Sequence, residues 1–156
     1  MSLATAVLRD NFRWASLVPE LVVSDLGRSL RFWCDLIGFR VAYERADEGF
    51  AYLEMGESQI MLAAQAGMDR WITAAMEHPF GRGINLQIAV EDIAAPLARL
   101  KDAGRPLHFA PEEEWYRAGD IETGMRQFAV ADPDGYLVRL SQSLGQRPAE
   151  AIGEAA

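Results

Sequence analysis

Two aromatic residues directly follow a run of carboxylates, and this combination suits the recognition of a planar cation. Trp115 and Tyr116 come after the acidic run at residues 112–114, in a segment that the sequence predicts to be a loop. An aromatic face stacks on flat groups and attracts cations, and neighbouring carboxylates add Coulombic attraction. The competing interpretations are ordinary packing of the two rings and simple solvation of the acidic run.

Two charged residues interrupt segments that otherwise alternate like strands. Glu20 lies in the apolar alternation at residues 17–23, and Arg139 lies in the strand-like run at residues 136–142. A buried charge needs a partner. We therefore expect Glu20 and Arg139 either to pair with each other or to contact a ligand.

Residues that ligate metals or act as nucleophiles are few. His78 and His108 are the two histidines and Cys34 is the single cysteine. We interpret both histidines as loop or surface residues, and Cys34 as a small apolar residue in a helix. No Ser-His-Asp pattern, phosphate loop or zinc spacing is present, and the motif DPDG at residues 132–135 is typical of a turn. The sequence offers no catalytic residue, metal ligand set or cofactor motif.

Composition limits the possible partners. The chain has 15 basic and 23 acidic residues in 156, for a net charge of −8, which argues against nucleic-acid binding. No apolar run approaches the roughly 18 residues of a membrane span, and residues 1–11 lack the apolar core of an export signal. A single cysteine excludes an internal disulfide and is typical of a reducing compartment, so we expect a cytoplasmic protein. Because no apolar run is long enough to span a membrane, we expect no membrane partner.

An internal repeat with an offset of 67 residues supplies the elements that would position these side chains. The motif VSDL at residues 23–26 recurs as VEDI at residues 90–93, each after an apolar alternation typical of a half-buried strand. Each copy precedes an amphipathic stretch that predicts a helix capped by Asp25 or Asp92. Pro96 fits the second helix if that helix begins late, because an interior proline removes a backbone hydrogen bond.

Three strand-like runs follow each helix, so both halves are predicted to be β-α-β-β-β modules of one α+β domain with mixed sheets. The predicted runs are residues 39–44, 50–55 and 59–64 in the first half, and 105–110, 124–130 and 136–142 in the second. The predicted divisions are an N-terminal arm at 1–16, modules at 17–66 and 84–142, a connector with a short helix at 67–83, and a frayed polar tail at 143–156.

This duplicated pattern resembles the vicinal oxygen chelate superfamily, which includes glyoxalase I, ring-cleaving dioxygenases, fosfomycin-resistance enzymes and bleomycin-resistance proteins. The strongest motifs are VSDLxxSLxFWxDxIGF at residues 23–39 and GMRQFAVADPDGY at residues 124–136. The resemblance covers about residues 17–142. It implies two modules whose sheets curve into an open cup, with the helices outside.

Side chains alternate along a strand, so the residues opposite the helix-facing set would line that cup. They are Val18, Glu20, Val22, Gln59, Met61, Ala63, Asn85, Gln87, Ala89, Leu137, Arg139 and Ser141. The resemblance places the metal ligands of the superfamily's enzymes at four of these positions. The residues at those positions are Val18, Met61, Asn85 and Arg139, which cannot assemble a divalent cation site.

The resemblance extends furthest to the metal-free bleomycin-resistance branch, whose members are dimers that sequester a flat, cationic glycopeptide in grooves between subunits. It predicts a non-catalytic homodimer that binds a planar or cationic small molecule without a cofactor. The candidate ligand-binding residues are Glu20, Tyr52, Met61, Asn85, Gln87, Trp115, Tyr116 and Arg139. Phe12 and Trp14 are interpreted as a dimer-packing arm. The alternative is a glyoxalase- or dioxygenase-type enzyme with a displaced metal site drawn from Glu20, His78 or His108.

Overall fold

Apolar residues at alternate positions produce two four-stranded sheets in the computed structural model, which describes residues 8–150. The first sheet has the strand order β1-β4-β3-β2 and the second the order β5-β8-β7-β6. In each sheet the first strand of its module runs parallel to the last, and the other pairs are antiparallel. The two predicted β-α-β-β-β modules, and with them the α+β class, are confirmed.

The helices and strands follow the repeat. The first module comprises β1 (Glu20–Val23), α1 (Leu26–Leu30, continued by a π-helical segment at Arg31–Ile37), β2 (Arg40–Arg45), β3 (Phe50–Met55) and β4 (Ser58–Ala64). The second comprises β5 (Asn85–Ala89), α2 (Ala94–Asp102), β6 (Phe109–Ala118), β7 (Ile121–Ala131) and β8 (Leu137–Pro148). Two short 3-10 turns lie at Ala46–Glu48 and Asp69–Trp71.

The helix starts match their predicted caps in one module and differ in the other. Asp25 caps α1, since its carboxylate accepts a hydrogen bond from the Arg28 backbone N–H at 2.8 Å. In the second module the residue before the helix is Ile93, and the Asp92 carboxylate instead accepts from the Ala94 N–H at 2.8 Å. This helix begins late, at Ala94, so Pro96 falls in its first turn, where its missing N–H costs little.

The helix-facing sides of both sheets share one apolar core. Trp33 and Leu100, on the helical segments of the two modules, are fully buried there, and Trp33 is confirmed as a core residue. Polar contacts join the modules across this core. The Trp33 indole donates to Asp132 Oδ2 at 3.3 Å, and the Tyr136 hydroxyl donates to the Val22 carbonyl at 2.9 Å. The side chains on the opposite side of each sheet lie outside this core.

Three predictions about the second half and the connector differ from the structure. The helix of the connector is only a three-residue 3-10 helix at Asp69–Trp71, shorter than the one expected around residues 68–77. The strand predicted at residues 105–110 begins at Phe109 and continues to Ala118. Strand β8 extends to Pro148, so residues 143–148 of the predicted tail belong to a strand paired with β7, and residues 151–156 lie outside the described part of the chain.

Of the described part of the chain, neither helix has the length and apolar character that a membrane crossing requires.

Candidate functional site

The open face of the first sheet is covered by the chain's own N-terminal arm. Phe12 and Trp14 contact the Tyr52 ring edge-on, with ring centroids 5.8 and 5.3 Å away. Gln59 holds the arm in place, because its amide donates to the Arg13 carbonyl at 2.6 Å and accepts from the Ala15 N–H at 2.8 Å. The aromatic arm of the sequence therefore packs on its own module.

Tyr52, a candidate ligand contact, lies beneath this arm. Its side chain is 3% exposed, and its hydroxyl donates to Gln59 Oε1 at 2.6 Å. Met61 belongs to the same small apolar cluster, together with Val18 and Ala63. Glu20 pairs with Met61 between β1 and β4, so the two residues share a face, as the predicted alternation has them. In this chain a ligand could reach Tyr52 only by displacing the arm.

The matching face of the second sheet is open. Asn85, Gln87 and Ala89 alternate along the edge strand β5, and all three are exposed. Gln87 pairs with Arg139 on β8, so both lie on the face that the predicted alternation assigns to them. The open cup, as we use the term below, is this face of the second sheet.

Tyr116, Glu112 and Glu114 lie on the open cup because they alternate along β6. The Tyr116 hydroxyl lies 2.6 Å from the amide nitrogen of Gln127, and Glu112 accepts from the same nitrogen at 3.2 Å. Gln127 is only 2% exposed, so this fixed amide holds the exposed ring of Tyr116 in place. An aromatic ring and two carboxylates thus share one accessible surface.

Arg139 is the cation of the open cup. Its Nη1 lies 3.5 Å from Gln127 Oε1, and its buried Nε has no hydrogen-bond acceptor among residues 8–150. The predicted pair with Glu20 does not form within the chain: Glu20 is exposed and has no ion pair in the described residues. Arg139 has no ion pair in the described residues either, so the charge of its guanidinium is available to a ligand or another chain.

Trp115 does not share this surface, which corrects the sequence prediction. It lies on strand β6 rather than in a loop, and its side chain points to the face opposite Tyr116 because neighbouring strand residues alternate. There it lies over Gly124, and the Arg147 guanidinium stacks on the indole 4.1 Å from the ring centroid. Arg147 also contacts Glu122 at 2.6 Å.

The four positions that would carry metal ligands do not fit a divalent cation. Val18 and Met61 are in an apolar cluster, Asn85 is a weak neutral donor, and Arg139 is a cation. A guanidinium about 4 Å from a divalent ion would be repelled by roughly 8 kcal/mol at an effective dielectric constant near 20. These positions therefore supply a cation, a neutral amide and apolar groups, whereas a divalent metal requires imidazole or carboxylate ligands.

The displaced metal site is not assembled either. His78 and His108 line one cavity, whereas Glu20 lines a different one. Across residues 8–150, no three His, Cys, Asp or Glu side chains lie close enough to hold a metal ion.

Sequence reasoning missed two residues that shape the open cup. Gln127 was not singled out, although it connects Tyr116, Glu112 and Arg139 through one buried amide. A usable signal was present, because Gln127 is a polar residue directly before an apolar run at residues 128–131. The sequence shows Glu112 only as part of an acidic run. Its position on the open cup depends on β6 being a strand there, which the sequence did not predict.

Comparison with known proteins adds the following. The family model described as Glyoxalase/Bleomycin resistance protein/Dioxygenase superfamily matches residues 15–140. The bleomycin resistance protein of Geobacillus stearothermophilus is 28% identical over 137 residues, which is 81% of this chain and 96% of that protein. A probable lactoylglutathione lyase of Synechocystis sp. is 27% identical over 134 residues, 80% of this chain and 92% of the relative. The crystal structure of the bleomycin resistance determinant encoded on transposon Tn5 shares the fold, with a TM-score of 0.56, 24% identity, and coverage of 84% and 99%.

Proposed function

The chain belongs to the glyoxalase/bleomycin resistance protein/dioxygenase superfamily, and we propose that within it the chain is a non-catalytic protein that sequesters a planar, cationic small molecule. The observation that carries this proposal is the open cup, where the exposed ring of Tyr116 lies on the same face as Glu112 and Glu114. Bleomycin resistance proteins among the relatives favour binding over catalysis.

The chemistry of the open cup supports a ligand of this kind. The Tyr116 ring offers a stacking surface, and an aromatic contact contributes about 0.5–1.5 kcal/mol beyond area burial. Glu112 and Glu114 supply negative charge beside the ring, while Arg139 and Gln87 offer hydrogen-bond donors to a carbonyl of the ligand. A flat cation that also carries amide carbonyls, such as bleomycin, matches this set of groups.

The groove requires a second wall, and we propose that another copy of the chain supplies it. The open cup is bounded by the edge strands β5 and β6, so one sheet alone gives a shallow surface. Leu17 and Ile84, just before the two parallel edge strands, are 83% and 56% exposed. Packing these side chains against a partner would remove their apolar area from water, which favours association.

Titration calorimetry with metal-free and copper-loaded bleomycin tests the proposal. We expect saturable binding by the wild type and a loss of about tenfold for Tyr116→Leu, since each 1.4 kcal/mol changes affinity by a factor of ten. Trp115→Leu is the matched control, because it removes the neighbouring aromatic ring from the opposite face. Absence of heat at about 100 µM ligand, or equal losses in both variants, would contradict the proposed ligand or its placement.

Metal analysis separates this proposal from the enzyme alternative. Dialysed protein should contain well under one equivalent of zinc, iron, nickel or manganese. The four positions expected to carry metal ligands lack the imidazole and carboxylate groups that bind such ions; they are Val18, Met61, Asn85 and Arg139. Stoichiometric metal in the dialysed protein, together with lyase activity, would favour a relationship to the lactoylglutathione lyases instead.

A further inference from the structure

A cavity of about 500 Å³ lies at the end of the second sheet, away from the candidate residues of the open cup. Its walls come from three segments: the connector at residues 78–84, the approach to β6 at 105–108, and the turn from β7 to β8 at 131–137. Four basic side chains line it, His78, Arg82, Arg105 and His108. In a chain of net charge −8 with only two histidines, this concentration of basic groups is unexpected.

The cavity is formed by close backbone packing. The Phe80 N–H donates to the Asp134 carbonyl at 2.8 Å, which fastens the connector to the β7–β8 turn. Gly135, with φ of 99°, lets Pro79 approach so closely that a Cβ at this position would overlap it. Gly81, with φ of 68°, makes the same close approach to the Tyr136 ring. The absence of a side chain at these two glycines therefore lets the connector pack directly against the β7–β8 turn.

Backbone carbonyls orient both arginines; Arg105 has no carboxylate partner in the described residues, and Arg82 has one long ion pair. Arg105 donates to the Ala131 carbonyl at 3.1 Å, and among residues 8–150 no carboxylate lies within 4.0 Å of its guanidinium. Arg82 donates to the carbonyls of His78 and Pro79 at 2.9 and 3.2 Å, and its nearest carboxylate, Glu77, is 3.9 Å away. A carbonyl fixes the direction of a guanidinium but leaves its positive charge available.

Asp132, the acidic residue among those that line the cavity, is buried and hydrogen-bonded to neighbouring groups of the core. Asp132 is 3% exposed, and its Oδ1 accepts hydrogen bonds at 2.9 Å from the backbone N–H groups of Asp134 and Tyr136. Its Oδ2 accepts from the Trp33 indole at 3.3 Å. The charge that an incoming ligand meets at the cavity surface is therefore positive.

We propose that this cavity binds a small organic anion, a carboxylate or a phosphate monoester on an apolar body. The anionic end contacts Arg82 and Arg105, because guanidinium groups bind both oxyanions through charge-assisted hydrogen bonds. The apolar body packs against Ile84, Pro106 and Leu137, which line the same cavity. The cavity shares Leu137 with the residues expected to line the cup, but Tyr116, Gln87 and Arg139 do not line it.

Proton NMR of the two histidine rings tests the site directly, because both histidines of the chain line this cavity. The probes are phenyl phosphate and benzoate, titrated at constant pH and ionic strength into tag-free protein, and His78→Gln assigns the signals. We expect at least one of the two anions to shift both ring signals along saturable curves. Benzyl alcohol and benzylamine carry the same ring without negative charge and should leave the signals in place.

Substitutions identify the groups responsible. Arg105→Gln should weaken anion binding at least about tenfold, as expected when a charge-assisted contact is removed. Arg117→Gln is the matched control, because Arg117 also donates to a backbone carbonyl, that of Gly119 at 3.0 Å, but lies outside the cavity. Arg105 stacks on Phe32, so Arg82→Gln, which removes an exposed side chain, serves as a second variant if the first fails to fold.

The proposal is overturned if neither anion shifts the histidine signals. It is equally overturned if the uncharged probe shifts them as much, or if Arg82→Gln and Arg105→Gln both bind like wild type. A failed bleomycin titration leaves these outcomes unaffected, so the two sites are tested separately.

Discussion

The indole of Trp115 lies directly over Gly124 on the neighbouring strand, on the face of β6 opposite to Tyr116. A Cβ added to Gly124 would lie 2.7 Å from three carbons of the six-membered ring. Gly124 pairs with Trp115 between β6 and β7, so the missing side chain leaves the space that the ring fills. The indole therefore packs against this glycine on the face of the sheet away from the open cup.

Gly124→Ala should therefore destabilise the fold through overpacking, at a cost of about 1–3 kcal/mol in the free energy of unfolding. The double variant Gly124→Ala/Trp115→Leu removes the ring that the new methyl group would meet, so the alanine should then cost less than about 0.5 kcal/mol. Chemical denaturation of the four proteins of this cycle measures the coupling. Additive effects of the two substitutions would contradict the contact.

Self-association is expected from the exposed apolar residues at the edge strands. Light scattering at micromolar concentration should give twice the chain mass of 17.3 kDa. Ile84→Asp places a charge where the proposed interface excludes water, and it should shift the mass toward the monomer. Glu57→Lys, a charge change in the exposed β3–β4 turn, is the control. A wild-type monomer would remove the second wall of the proposed groove.

The sequence predicted the modules well because each is defined by local periodicity. The repeat of apolar alternation, capped helix and three strands is visible within about 50 residues, and the alternation put Gln87 and Arg139 on one face, where the structure pairs them. Strand β6 was missed because Pro111 and the three glutamates at 112–114 have low strand propensity. Pairing with β7 overrides that propensity, and Pro111 is tolerated at an irregularity of an edge strand.

Side-chain positions that depend on distant partners could not be derived from the sequence. Assigning Trp115 and Tyr116 to a loop removed the strand alternation that separates them onto opposite faces. The arm contacts Gln59 across 44 residues or more, and no local pattern encodes that contact. The cavity with both histidines likewise requires three segments that are distant in the chain.

Cys34 should react slowly with thiol reagents. Burial raises the pKa of its thiol to about 11, and the charge of Asp35 adds to the increase. At pH 8 the thiolate fraction is then roughly two orders of magnitude below that of an ordinary cysteine, so alkylation by iodoacetamide should slow by a similar factor. The rate should rise with pH up to about 11, and denatured protein provides the control. Reaction at the rate of a free cysteine would contradict the burial.

The stability contributed by Asp132 should fall as the pH rises. Burial raises the pKa of this carboxyl above its ordinary value, so the folded chain holds the proton more tightly than the unfolded chain does. That contribution is fully present below the unfolded pKa, near 3.9, and is lost as the pH rises through the folded pKa. Asp132→Asn cannot titrate, yet its carbonyl oxygen can still accept from the backbone of Asp134 and Tyr136.

The free energy of unfolding of Asp132→Asn, minus that of the wild type, should therefore increase as the pH is raised from 4 to neutral. Chemical denaturation at the two pH values measures this difference. Any cost from the lost Trp33 hydrogen bond is the same at both pH values and cancels in this difference. Asp102→Asn, which removes an exposed carboxyl from α2, corrects for the change in net charge. If the free energies of unfolding of wild type and Asp132→Asn change equally with pH, or if that of the wild type rises more, the pKa of the buried carboxyl is not raised.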